Sequence, residues 1–347
     1  MMAMAVLVQR GCEGGSGGGV KLPIVTIPRP AAPIWAAAAC WLVFAFSGLL
    51  HAQQAPRTAM AYFPADTQQI AYCSFVQLRT LSDYPEIRDH VLRQQFRAFQ
   101  DFLSSAGIDP EKDIDEVMVG WHGESLGGPA NFGVAVGRFD PDKVSDFYTK
   151  SQLPVQQYLG SDLMAFGSGF DPADTFFTFL DSTSAAFGQL HDLKILLDVR
   201  DGSATALDTN QDFRSYEAEL EGTSPQWGIL TGKAAANAAA PWLSGGGKGS
   251  LDLTVFLQPV IAVLYRVDWN SGFTAHISLV CKDPGSAEGL LRLLNLLKSA
   301  PPIPASASNP GTDSILRNLD VHQDGSRLEM NVSGPADALD QVLKTGG

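Results

Sequence analysis

Residues 116–150 read EVMVGWHGESLGGPANFGVAVGRFDPDKVSDFYTK. EVMVGW and NFGVAVGRF are short apolar runs rich in valine and aromatic residues, the composition of strands, and the stretch between them is glycine-rich. Asp140-Pro141 then supplies an N-cap and a first helical residue whose missing N–H is not needed there, so a helix is expected to about Lys150. A hairpin that passes straight into a helix folds that helix back over its own sheet. The stretch therefore predicts the α+β class, with an antiparallel sheet covered by helices.

Upstream, QIAYCSFVQL (Gln69 to Leu78) alternates with Ile70, Tyr72, Ser74 and Val76 on one side, as a strand does. A helix follows, with Asp83 as N-cap, Pro85 in its first turn and Glu86 completing a capping box. Ile87, Val91, Phe96, Phe99 and Leu103 form its apolar stripe, Arg88, Arg93 and Arg97 lie off it, and Gly107 is the expected C-cap. With DLMAFGS as a further strand, Gln69 to Gly167 reads β-α-β-β-α-β, the ferredoxin-like order in which a split βαβ carries two helices on one face.

Downstream, FFTFLD and SAAFG suggest a hairpin, His191 to Val199 a helix, QWGILTG a strand and KAAANAAAPWL a short helix. After the flexible SGGGKGS, AVLYRVDW and FTAHISLVC form a hairpin about Asn270-Ser271-Gly272. Asp283-Pro284 caps a leucine-rich helix, LDVHQDGSRLEMNVS is a hairpin turned at Asp324-Gly325, and Pro335 opens a last helix. The junctions FDPDKV, CKDPGSA and SGPADAL repeat one theme, a hairpin followed directly by a Pro-initiated helix. We expect two related halves, residues 53–180 and 181–347, each ferredoxin-like or hairpin-plus-helix.

The segments FPADTQQIAY, GIDPEKDIDEV and GRFDPDKV resemble a group of exported bacterial proteins of unknown function. The resemblance covers about Phe63 to Val144 and rests on turns, caps and strand starts. It implies a fold and no activity, cofactor or site residue.

Ala31 to Leu50, AAPIWAAAACWLVFAFSGLL, is uncharged and long enough to cross a bilayer core about 30 Å thick. Arg10, Lys21 and Arg29 precede it, so the chain after residue 50 is expected to face outward, in the periplasm or beyond. The segment is read as a signal peptide cut after Ala52 or as a retained inner-membrane anchor. The Gly-rich residues 1–30 are a disordered leader or a misassigned start. Ten apolar residues after Cys40 argue against lipidation there. Removing residues 1–52 takes the net charge from −13 to −15, which leaves no basic footprint for nucleic acid.

Gly123-Glu124-Ser125-Leu126-Gly127 satisfies G-x-S-x-G, the nucleophile elbow, and His191, His276 and His322 lie downstream. An elbow needs a helix after the serine, whereas Pro129 and a strand pattern follow, so Ser125 is expected on a hairpin loop. Asp109, Asp113 and Asp115 lack the spacing of an EF-hand. No histidine or cysteine pair has zinc spacing, and no P-loop or dinucleotide fingerprint occurs, so no metal or cofactor is expected. Trp121, Trp227, Trp242 and Trp269 suit packing better than ligand stacking. Cys73 and Cys281, alone after the leader, could form a disulfide in an oxidising compartment or lie buried as free thiols. Asn331-Val332-Ser333 is a sequon.

The expected function is a non-catalytic binding or assembly component of the bacterial cell envelope, with a protein or small-molecule partner outside the cytoplasm. A secreted serine hydrolase using Ser125 is one alternative. A ligand-binding module with its site between the halves is the other.

Overall fold

The structure is a computed structural model that describes residues 55–85, 101–122, 131–171, 174–243, 254–270, 272–299 and 319–334. Its strands are β1 (Thr67–Ser74), β2 (Ile114–His122), β3 (Asn131–Gly137), β4 (Val155–Tyr158), β5 (Ser161–Ala165), β6 (Thr175–Phe179), β7 (Ser184–Gln189), β8 (Gln226–Thr231), β9 (Val260–Trp269), β10 (Phe273–Cys281), β11 (Asp320–Asp324) and β12 (Arg327–Gly334). Its helices are α1 (Ala55–Tyr62), α2 (Phe75–Leu78), α3 (Pro110–Asp113), α4 (Pro141–Ser151), α5 (Leu190–Arg200), α6 (Gln211–Leu220), α7 (Gly232–Leu243), α8 (Thr254–Leu257) and α9 (Pro284–Ser299). Among the described residues, twelve strands join one sheet, in the order β11-β12-β10-β9-β8-β1-β2-β3-β7-β6-β5-β4.

β2 and β3 read as continuous apolar runs because helices cover both faces of the sheet. Beneath α1, α5 and α6, one face buries Ala59, Leu193 and Phe213 against Tyr72, Met118, Phe132 and Trp227. Beneath α2, α4, α7, α8 and α9, the other buries Tyr148, Ala235, Leu257 and Leu290 against Val117, Trp121, Val263 and Leu279. The Asp-Pro junctions behave as expected: α4 and α9 begin at Pro141 and Pro284, directly after β3 and β10, and Asp140 Oδ1 accepts the Lys143 N–H at 3.1 Å. Gly107 ends its helix with φ at +86°, and Ile108 N–H reaches back to the Leu103 carbonyl at 2.9 Å. The body of that helix, with Arg88, Arg93 and Arg97, lies outside the described residues, as do the leader, the Ser244 to Ser250 break and the helix opened by Pro335.

The α+β class holds, but two separate ferredoxin-like sheets are replaced by one antiparallel sheet. A split βαβ would make β1 and β2 parallel with another strand between them. Instead they are antiparallel neighbours, with Ser74 opposite Glu116 and Thr67 opposite His122. The chain leaves β1 and rejoins the sheet at the same end, so its helical excursion is not a crossover. Val76 belongs to α2 rather than β1, because the Ser74 hydroxyl caps that helix through the Gln77 N–H at 3.3 Å. A boundary after residue 180 would part β6 from β7, which pair from Thr175↔Gln189 to Phe179↔Ala185. The sheet passes from its first strands to its last at the β1–β8 ladder.

Candidate functional site

β1 and β8 both reach the Ser74 end of the sheet, where Ser74 N–H donates to the Pro225 carbonyl at 2.7 Å. β9 finishes and β10 begins at that same end, with Thr274 opposite Asp268. Between the turn after α2 and the β9–β10 turn lies a cleft of about 480 Å³, within the size range of small-ligand sites. Gln77, Thr80 and Leu81 line one wall, and Pro225, Asp268, Trp269 and His276 form part of the other.

Strand alternation sends Asp268 and His276 to one face of the sheet and Trp269 to the other, where its indole N–H donates to Gln226 Oε1 at 2.9 Å. His276 Nε2 lies 3.4 Å from Asp268 Oδ2, and its Nδ1 lies 2.6 Å from Oδ1 of Asn331, the residue directly opposite on β12. The buried Ser224 hydroxyl donates to Asp268 Oδ1. Ser, His and Asp therefore meet here, but not as a catalytic triad. A triad serine gives its proton to the imidazole, whereas Ser224 gives its own to the carboxylate, and both ring nitrogens of His276 face oxygens. The arrangement holds a carboxylate at the wall of the cleft and activates no nucleophile.

Ser125 lies outside the described residues. The strands flanking its segment pair antiparallel with Trp121 opposite Asn131, and the next described element is β3, not a helix. The opposite, His122 end of the sheet holds a second polar group. His122 Nδ1 is 3.1 Å from Asp66 Oδ1, and its ring packs 4.7 Å from Phe132. Asp192, buried at 2% exposure on α5, sits in the field of His122 and His191 and accepts the Asn131 N–H. The three downstream histidines thus separate. His191 is at this end, His276 is at the other, and His322 is exposed on the edge strand β11. His122, three residues before Ser125, went unread because a lone strand-end histidine carries no pattern.

Burial pushes the Asp192 carboxyl up, against the pull of His122, His191 and the Asn131 N–H. Between its unfolded and folded pKa values the folded state holds the extra proton, so its favourable contribution is lost as pH rises through that range. Asp192→Asn keeps an acceptor for Asn131 and carries no charge. Urea melts should show it more stable than the wild type at pH 7 and without that advantage below about pH 3, where the carboxyl is protonated in both states.

Cys73 and Cys281 are buried thiols and form no disulfide, the second of the two readings their sequence left open. β8 and β9 stand between their strands, which puts β1 and β10 about 14 Å apart at roughly 4.8 Å per strand, and register places Cys73 level with Ala275 rather than Cys281, so the two thiols lie far beyond the reach of a bridge. Burial raises both thiols, Cys281 to about 11. In the acidic turn, Asp109 caps α3 through the Glu111 N–H at 3.0 Å and Asp113 accepts the Asp109 N–H at 2.6 Å. Asp115 lies 4.0 Å from Arg79 and 3.9 Å from Arg138. Among the described residues, no group of three His, Cys, Asp or Glu is arranged to hold a metal ion. Trp121 and Trp227 are core residues, Trp269 lines the cleft at 5% exposure, and the Trp242 side chain lies outside the described set.

No protein-family model matches the chain, and no curated protein does. Among solved structures, crystal form I of TP0453 is similar, with a TM-score of 0.49 and 12% identity over 83% of this chain and 97% of that one. Crystal form IV of TP0453 gives 0.45 and 11% over 82% and 96%.

Proposed function

We propose that the chain is an exported, non-catalytic binding component of the bacterial cell envelope and that it works through the cleft at the Ser74 end of its sheet. The observation that carries this reading is the cleft itself. It lies between elements of two halves that we take to be related, since strand, helix, hairpin, Pro-initiated helix and closing hairpin recur from β1 and again from β8. Its carboxylate is fixed by a serine and a histidine in an arrangement suited to holding a ligand rather than attacking one.

Export rests on the apolar run from Ala31 to Leu50. No described helix is long and apolar enough to cross a membrane. α1 begins at Ala55, whose N–H donates to the buried Glu116 at 2.8 Å, and Glu116 lies opposite Ser74. Only residues 51–54 separate Leu50 from that point. A retained anchor would therefore hold the cleft end of the sheet close to the bilayer, while cleavage after Ala52 would release it.

The hydrolase reading draws on one observation, the placement of His122 and the buried Asp192 at the base of the segment that contains Ser125. Expressed from its full gene in a bacterial host, the protein should be recovered outside the cytoplasm and should not react with a fluorophosphonate probe. Labelling that disappears in Ser125→Ala would establish the hydrolase instead, and retention in the cytoplasm would overturn export.

A further inference from the structure

The geometry points to a cationic occupant for the cleft, a small ligand bearing a primary ammonium group that pairs with Asp268. This deepens the binding reading and rests on it. Among the described residues lining the cleft there is one carboxylate, Asp268, and no lysine or arginine. Gln77, Thr80, Asn270 and Thr274 add amide and hydroxyl oxygens that can accept the remaining ammonium hydrogens. Arg266 lies opposite His276 in the β9–β10 ladder but does not line the cleft.

Asp268 is prepared for such a role. Ser224 fixes one of its oxygens and His276 approaches the other, so the carboxylate keeps lone pairs for a third partner without having to turn. Asn331 holds the imidazole from behind at 2.6 Å, which keeps the wall in place when a ligand arrives. The carboxylate is one-third exposed, open enough for an incoming charge to reach it. The net charge of −15 left after the leader raises the local concentration of cations around the body. A volume of about 480 Å³ suits an amino sugar, a diamine or a lysine-bearing dipeptide.

The test is calorimetric titration of the purified full chain at low ionic strength with three probes: lysyl-alanine, the same dipeptide acetylated on both amines, and succinate. We expect lysyl-alanine alone to bind, more weakly as salt is added. In Asp268→Asn, which still offers Ser224 an acceptor, its Kd should rise at least tenfold while the melting temperature stays near that of the wild type. His276→Gln, whose amide can still donate to Asp268, should weaken binding far less than Asp268→Asn does. Equal binding of the acetylated dipeptide, or succinate binding that survives Asp268→Asn, would overturn the cationic assignment and leave the cleft as a binding site. Equal losses in Asp268→Asn and His276→Gln would also overturn it, since they would report general damage to the wall. No heat with any probe would remove the binding reading along with it.

Discussion

Gly137→Ala is expected to destabilise the fold by about 2–4 kcal/mol and to lower the melting temperature by about 5–10 °C. Gly137 ends β3 opposite Ile114, at the point where the β2–β3 register shifts. A Cβ there would lie 1.9 Å from the Asp113 carbonyl oxygen and 2.8 Å from both the Asp113 carbonyl carbon and Ile114 Cα. All three are backbone atoms, and that backbone is pinned from several sides. Asp113 N–H donates to the Asp109 carbonyl at 2.8 Å, the Asp113 oxygen accepts the Arg138 N–H at 2.7 Å, and Arg79 holds the Ile114 carbonyl at 2.7 Å. No flexible side chain can move aside, so β3 must shift and take the β2 ladder with it. Gly289→Ala is the control, because an added Cβ on this exposed turn of α9 meets nothing within 4 Å and alanine is the better helix former. It should be neutral or stabilising by about 0.5–1 kcal/mol. Thermal and urea melts of the two variants read the difference, and a Gly137→Ala protein as stable as the wild type would show that the approach to Asp113 is not fixed.

What the chain revealed in one dimension was local chemistry. Asp140-Pro141 and Asp283-Pro284 mark real helix starts, and Asp324-Gly325 turns a real hairpin, because caps and turns depend on adjacent residues. The pairing of β1 with β2 was misread for the opposite reason. A helix between two strands looks the same in sequence whether it crosses the sheet or returns to the end it left. β4 escaped notice as a four-residue edge strand whose neighbours ask little of its side chains. α6 had a legible start in Asn210, whose side chain accepts the N–H groups of Asp212 and Phe213, yet its weak apolar stripe did not announce it. At the cleft, once Asn270 to Gly272 is taken as a turn, register places Thr274 opposite Asp268 and His276 diagonal to it. Asn331 comes from β12, beyond α9 and a long connection, and only the folded sheet brings it to His276.

Trp227→Ala is expected to cost about 3–5 kcal/mol and still leave a single unfolding transition. Trp227 is fully buried and stands opposite Tyr72 in the β1–β8 ladder, with ring centroids 5.0 Å apart. Its indole N–H makes no hydrogen bond, so truncation orphans no partner and the loss is one of packing. That ladder is where the sheet passes between its two sets of strands, and both apolar layers continue across it. On one face Ile70 and Tyr72 meet Trp227, Ile229 and Leu264, and on the other Cys73 packs in the same layer as Leu230 and Val263. If either set unfolded alone it would strip the other of one side of its core on both faces at once. The two should therefore melt together, with far-ultraviolet and near-ultraviolet circular dichroism falling on one curve displaced by about 6–15 °C in the variant. A splitting of that curve into two steps would mean that the halves are separate folding units held by the Tyr72–Trp227 contact, and the cleft between them would then depend on that contact for its shape.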